Sequence, residues 1–208
     1  MTEELLILFA RGGAMMYPLL LCSLLVVTFA IERALQLNSG RLFPKATLEA
    51  WKTRLSSGSM EPPASSSAAL LDQMLGPIQG YFPLPIARFE ERLSDLSRKA
   101  RNRLERGLVF LDLIGGVAPL FGLLGTALGM IDVFSKLSSS GQAKIESLSG
   151  GISEALFTTV AGLAIGIPAL IAANLYARHI ENQLLKVEDE INGLLDQFYD
   201  KMVEHENR

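Results

Sequence analysis

Three stretches of the chain carry no charged side chain, and each is bracketed by charge. Gly12 to Ile31 is 20 residues between Arg11 and Glu32, Leu113 to Ile131 is 19 between Asp112 and Asp132, and Ala155 to Ala177 is 23 between Glu154 and Arg178. At about 1.5 Å per residue, each is long enough to cross roughly 30 Å of hydrocarbon. The charged segments carry a different pattern. Ile86, Phe89, Leu93, Leu96, Ala100, Leu104 and Leu108 recur at steps of three and four, which makes one face of a helix. With no evident breaker before the second uncharged run, the pattern predicts one helix from about 86 to 134. Ile180, Leu184, Val187, Ile191, Leu194, Phe198 and Met202 repeat the device after the third run. The expected fold is an all-α membrane protein with three transmembrane helices and long cytoplasmic helical extensions of the second and third spans.

Composition agrees with segregated charge: the mean hydropathy is +0.30 although 20% of the residues are charged. The first run is too long for a signal-peptide core, and Glu32, Arg33 and a polar segment follow it in place of a small-residue cleavage site, so it is expected to remain in the mature chain. Positive charge sets the orientation. Only Arg11 precedes the first span, and only Lys136 and Lys144 lie between the second and third, whereas Leu37 to Gly107 holds eleven Lys plus Arg and the tail from Arg178 holds four. The expectation is a multi-pass membrane protein with an outward-facing N-terminus and a cytoplasmic C-terminus. Its segments are 1–36, an outer N-terminus with the first span; 37–85, a cytoplasmic loop; 86–134, a cytoplasmic helix continuous with the second span; 135–153, a short outward-facing loop; and 154–208, the third span and its helical tail. Within the loop, Ser56 to Ala69 has linker composition and Gly76 to Pro85 adds three prolines.

Small residues dominate the second and third spans. Gly125 and Gly129 form GxxxG, as do Gly162 and Gly166, and Ala118, Gly122 and Thr126 extend a row of small residues. Helices in lipid associate through such close-packing surfaces. Pro119 and Pro168 are tolerated there and are candidate kinks, because neighbouring helices can satisfy the freed carbonyls. Thr126, Thr158 and Thr159 are the strongest hydrogen-bonding side chains deep in these spans. They can bond back to their own helix, line a narrow wet passage, or face a partner helix.

No Asp, Glu, His, Lys or Arg lies inside any of the three runs, although intramembrane ionisable groups are what proton relays are made of. Any titrating group must then come from another chain, with Asp112, Asp132 and Glu154 standing only at span ends. Cys22 reads as a small buried apolar residue. His179 and His205 are 26 residues apart, and no nucleophile triad, metal-ligand cluster or phosphate loop is present. The chain is read as having no enzymatic activity, catalytic residue, metal or cofactor, and the charge pattern gives no reason to invoke nucleic acid.

APLFGLLGTALGMI at 118–131, followed by GGISEALFTTVAGLAIGIPAL, resembles the paired signature of the ExbB/TolQ/MotA proton-channel subunits. GGAMMYPLLLCSLLVVTFAIER is more loosely similar to the opening of ExbB-like chains. Three spans and a modest loop resemble ExbB or TolQ more than MotA. The resemblance implies a homopentamer whose second and third spans surround a dimeric single-span partner of ExbD or TolR type, which carries the membrane aspartate, with a TonB-like energy-transducing protein as a further partner. It implies that Thr126 and Thr159 face that aspartate, that Pro119 and Pro168 are the family prolines, and that Glu154 is the glutamate opening the third span; with Thr126, Thr158 and Thr159, Glu154 is expected to line the ion pathway or face the partner. The alternatives are a passive oligomeric scaffold anchoring a single-span partner, or a TolQ-like or MotA-like motor subunit serving another process.

Overall fold

A computed structural model of the chain describes residues 13–37, 44–56, 70–75, 86–140 and 145–206, and all regular structure among these is helical. The helices are α1 (Met16–Gln36), α2 (Lys45–Ser56), α3 (Leu70–Leu75), α4 (Ile86–Glu105), α5 (Leu108–Ser140) and α6 (Ile145–Glu206). Three of them, α1, α5 and α6, are long and apolar enough to cross a membrane, and the protein is an all-α membrane protein. The chain divides into two compact units, Met1–Glu32 with Gly107–Leu175, and Arg33–Arg106 with Tyr176–Arg208. The expected linker at 57–69, the proline-rich patch to Pro85 and the side chains of Ile86, Phe89, Phe198, Met202 and His205 lie outside the described residues.

Two boundaries differ from the sequence expectation. The helix expected over 86–134 is in two pieces, separated by turn residues Arg106 and Gly107. Glycine has the lowest helix propensity of any residue but proline, costing about 1 kcal/mol against alanine, so the ladder opens where opening costs least. The expected loop at 135–153 is mostly helix, since α5 runs to Ser140 and α6 begins at Ile145. The two helices outrun their apolar stretches because their packing continues: Val133 is 6% exposed, and its Cγ2 fills the space where Gly151 has no side chain. An Asp132–Lys136 pair one turn apart at 2.5 Å adds local support.

In the first unit, α1 packs on α5 through Leu19, Cys22, Ile114 and Ala118, with Met16, Leu25, Val26, Phe121, Ala161 and Ile165 around them. Cys22 is thus a buried apolar residue of this core. Phe29 stacks on Phe110 with ring centroids 5.0 Å apart. Pro18 falls in the first turn of α1, where its missing N–H would have had no helical partner. Little of the apolar surface is covered within the chain: 11%, 39% and 28% of the most apolar windows of α1, α5 and α6 are buried. Leu156, Val160, Leu163, Ile167, Ile171 and Leu175 form an exposed row along α6, which suits lipid or another protein helix.

The second unit buries the tail stripe. Ile180, Leu184, Val187, Ile191 and Leu194 are each at most 2% exposed, with Leu93 and Ala100 of α4 also buried. Arg101 and Glu181 meet at 3.5 Å, Lys52 and Glu190 at 3.8 Å, and Arg33 reaches the Leu104 carbonyl at 3.5 Å. These exposed pairs orient more than they stabilise. The fixed point is Trp51, 1% exposed, with Leu48, Leu70, Leu71 and Met74 also buried; its indole N–H donates to Asp72 Oδ1 at 2.7 Å. Removing that donor weakens the solvation of a carboxylate that is only 8% exposed. Trp51→Phe should therefore destabilise this unit by about 1–3 kcal/mol, read as a lower melting temperature of the purified protein with α1, α5 and α6 still inserted.

Candidate functional site: the α5–α6 contact

Helices α5 and α6 run antiparallel, and residues that rise along one meet residues that fall along the other. Gly115 faces Leu170, Pro119 faces Gly166, Ala118 and Gly122 face Gly162, Gly125 faces Thr158, and Gly129 faces Ala155. The approach is backbone to backbone. A Cβ on Gly162 would lie 2.6 Å from the Ala118 carbonyl oxygen and 3.0 Å from the Gly122 Cα, and one on Gly122 would lie 2.8 Å from the Thr158 carbonyl oxygen. One on Gly166 would meet the Pro119 ring at 2.6 Å. By contrast, Gly116, Gly150 and Gly193 have nothing within 4 Å of such an atom, so close contact is a property of the α5–α6 row and not of every glycine.

This closeness lets a hydroxyl on one helix reach the main chain of the other. Thr126 Oγ1 lies 3.1 Å from the Gly122 carbonyl oxygen of its own helix. Thr159 Oγ1, on α6, lies 3.1 Å from the same oxygen, and the two hydroxyl oxygens are 2.5 Å apart. Thr158 Oγ1 is 2.7 Å from the Ala155 carbonyl and 3.3 Å from that of Gly122. Three threonines thus converge on one carbonyl oxygen, but they are not equivalent. Thr158 is 2% exposed and wedged against Gly125, whereas Thr126 and Thr159 are half-buried.

The hydrogen count limits what this cluster does. Thr126 and Thr159 have two hydroxyl protons for three short contacts. One proton lies between the two oxygens and the other goes to Gly122, in either order. Both donors are used internally, and the unused capacity of the pair is lone pairs. A carbonyl only accepts, so no proton hops through Gly122. As arranged, the pair accepts a hydrogen bond from a third group more readily than it donates one.

Glu154 stands apart from the threonine pair. It is exposed and lines a cavity of about 280 Å³ with Asp132, Thr158, Gly125, Gly129 and the turn at Gly13, Ala14 and Met15. Asp132 is tied to Lys136. Asp112 is exposed on α5. His179 is tied through Nε2 to the Leu37 carbonyl at 3.0 Å. Pro119 and Pro168 both sit within their helices; Pro119 is in the contact and Pro168 is exposed.

Sequence reasoning missed three participants. Gly115 extends the glycine row by one turn and was legible as a small residue at the right step. Gly151 opposite Val133 sat in a segment read as loop. The Gly13 turn offered only a Gly-Gly pair ahead of an apolar run, which gives no hint of what it touches.

Known proteins are similar to this chain in sequence. The sequence profile described as the MotA/TolQ/ExbB proton channel family matches residues 85–189, a stretch that includes α5, the threonine pair and Glu154. The biopolymer transport protein exbB1 of Vibrio cholerae is 29% identical over 187 residues, 86% of this chain and 82% of its own length. The putative biopolymer transport protein ExbB-like 1 of Synechocystis is 33% identical over 178 residues, 82% of this chain and 69% of its own. The putative biopolymer transport protein ExbB-like 3 of the same organism is 30% identical over 220 aligned positions, 94% of this chain and 97% of its own. With about half of the chain under the family profile and the small-residue contact within it, the chain belongs to the MotA/TolQ/ExbB proton channel family.

Proposed function

We propose that this chain is an ExbB-like wall subunit of an inner-membrane motor, which with an ExbD- or TolR-type single-span partner couples proton-motive force to energised transport or envelope work. The N-terminus faces the periplasm and the C-terminal tail the cytoplasm, in accord with the positive-charge asymmetry. The observation that carries the reading is the half-buried Thr126–Thr159 pair at a glycine-lined helix contact, in a chain whose uncharged runs contain no Asp, Glu, His, Lys or Arg. The wall supplies hydroxyls and the partner supplies the carboxyl group. Because the pair offers lone pairs, it favours the protonated, neutral aspartic acid, which donates its O–H to a threonine oxygen. Deprotonation removes that hydrogen bond and loosens the partner from the wall. Each elementary charge crossing 100 mV releases about 2.3 kcal/mol, comparable to the bond made and lost.

The large uncovered share of α1, α5 and α6 supports a homo-oligomer, for which we propose a pentamer around the partner. Native mass spectrometry in mild detergent should show it without the partner, and a stable monomer would contradict it. Proteoliposomes holding both proteins should pass protons into an interior loaded with a pH-sensitive dye, and those holding this chain alone should not.

One observation favours the scaffold reading. Thr126 reaches its own helix four residues back, as a threonine with a purely packing role does. Under that reading, proteoliposomes with both proteins show no flux above protein-free ones.

A further inference from the structure

The turn ahead of α1 holds a residue at which a side chain is disfavoured on two separate counts. Gly13 has φ +61, a left-handed backbone conformation that favours glycine. Independently, a Cβ at Gly13 would lie 2.5 Å from Glu154 Oε1 and 3.7 Å from its Cδ. The turn itself is fixed: the Gly13 carbonyl accepts the Met16 N–H at 3.2 Å, and the Ala14 carbonyl accepts that of Tyr17 at 3.4 Å. Met15 is anchored too, with its Cβ 3.2 Å from where a Gly125 side chain would begin. The turn therefore forms one wall of the cavity whose other walls are α5 and α6. Of the two carboxylates there, Asp132 is paired with Lys136, while Glu154 makes neither hydrogen bond nor ion pair among the described residues. What limits the Glu154 side chain on this side is the bare backbone of Gly13.

We propose that Gly13 is the positioning residue for Glu154: the turn before the first span sets where that carboxylate stands over the cavity, and so links the first span to the third. The inference rests on the reading of Glu154 as part of the ion pathway. A methyl group at position 13 takes the space of Oε1 and forces the carboxylate out, and a carboxylate one methylene shorter vacates that space.

The test is a double-mutant cycle in the partner-containing complex, with Gly13→Asn as a further single variant, scored by proton flux into dye-loaded proteoliposomes and by the melting temperature of the complex. Gly13→Ala should lower flux about tenfold. Adding Glu154→Asp should restore at least half of the lost flux, although Glu154→Asp alone lowers it. Backbone strain at Gly13 is the same in both backgrounds, so strain alone predicts a double variant at least as poor as Gly13→Ala. Gly13→Asn tolerates the left-handed conformation but carries a side chain. It should be as impaired as Gly13→Ala, and wild-type flux in Gly13→Asn would overturn the proposal. Additive effects in both flux and melting temperature would also overturn it. Coupling in melting temperature together with wild-type flux in every variant would uphold the contact and overturn the pathway role of Glu154.

Discussion

Gly162→Ala should leave the protein unable to form a stable complex, although it adds one methyl group and improves local helix propensity. The new Cβ would stand 2.6 Å from the Ala118 carbonyl oxygen and 3.0 Å from the Gly122 Cα. Both obstacles are backbone, so no rotamer change relieves them, and the helices must part by roughly 1 Å to regain ordinary contact. Parting them also lengthens the 3.1 Å contact from Thr159 to the Gly122 carbonyl and unseats Pro119 from Gly166. Overpacking of this kind costs about 1–3 kcal/mol at a single site, and it would be repeated in every subunit of the proposed homo-oligomer. Gly116→Ala is the control: the same chemistry on the facing helix α5, with nothing within 4 Å. It should assemble like the parent chain. Size-exclusion chromatography of both variants checks the pair, and a normal elution profile for Gly162→Ala would show that the contact is looser than described.

That contrast also marks how far the sequence could be read. The three spans were legible because a membrane leaves a blunt signal, long runs without charge, that owes nothing to tertiary context. The tail stripe Ile180 to Leu194 was legible for a similar reason, since a helix buried on one face must repeat its apolar residues every three or four. GxxxG in the second and third spans pointed to close packing, and Gly122, Gly125, Gly129, Gly162 and Gly166 all lie at the α5–α6 contact. Pairing was not legible. Nothing in the order of residues says that Thr159 shares a carbonyl with Thr126, or that Thr158, its neighbour, turns into the packed interior. The same limit hid Trp51 and Asp72, 21 residues apart and bonded at 2.7 Å. The helix expected to run unbroken from 86 failed at Gly107 because an apolar stripe continues across a turn as easily as through it. The loop expected after Phe134 failed because packing at Gly151, not hydropathy, decides where α5 and α6 stop.

Thr126→Val/Thr159→Val should conduct poorly while assembling normally. Valine keeps the branched shape that fills the contact, and the glycine row is untouched, so the helices remain together. What disappears is the pair of oxygens able to accept a hydrogen bond from a protonated partner carboxyl. Losing one net hydrogen bond of about 1.4 kcal/mol corresponds to about a tenfold change, and the double variant should show at least that reduction. Thr126→Ser/Thr159→Ser keeps both oxygens and removes only methyl groups; it should retain most of the flux even where its stability is somewhat lower. The two double variants together separate the hydroxyl from the packing volume.

The direct measurement is the rate of proton entry into dye-loaded proteoliposomes that contain the oligomer with its single-span partner, compared between the parent chain and the Thr126→Val/Thr159→Val variant at equal assembled complex. A rate about tenfold lower with the complex intact is the predicted result. An unchanged rate would show that the hydroxyls only hold two helices together, and that the wall of this channel lies elsewhere.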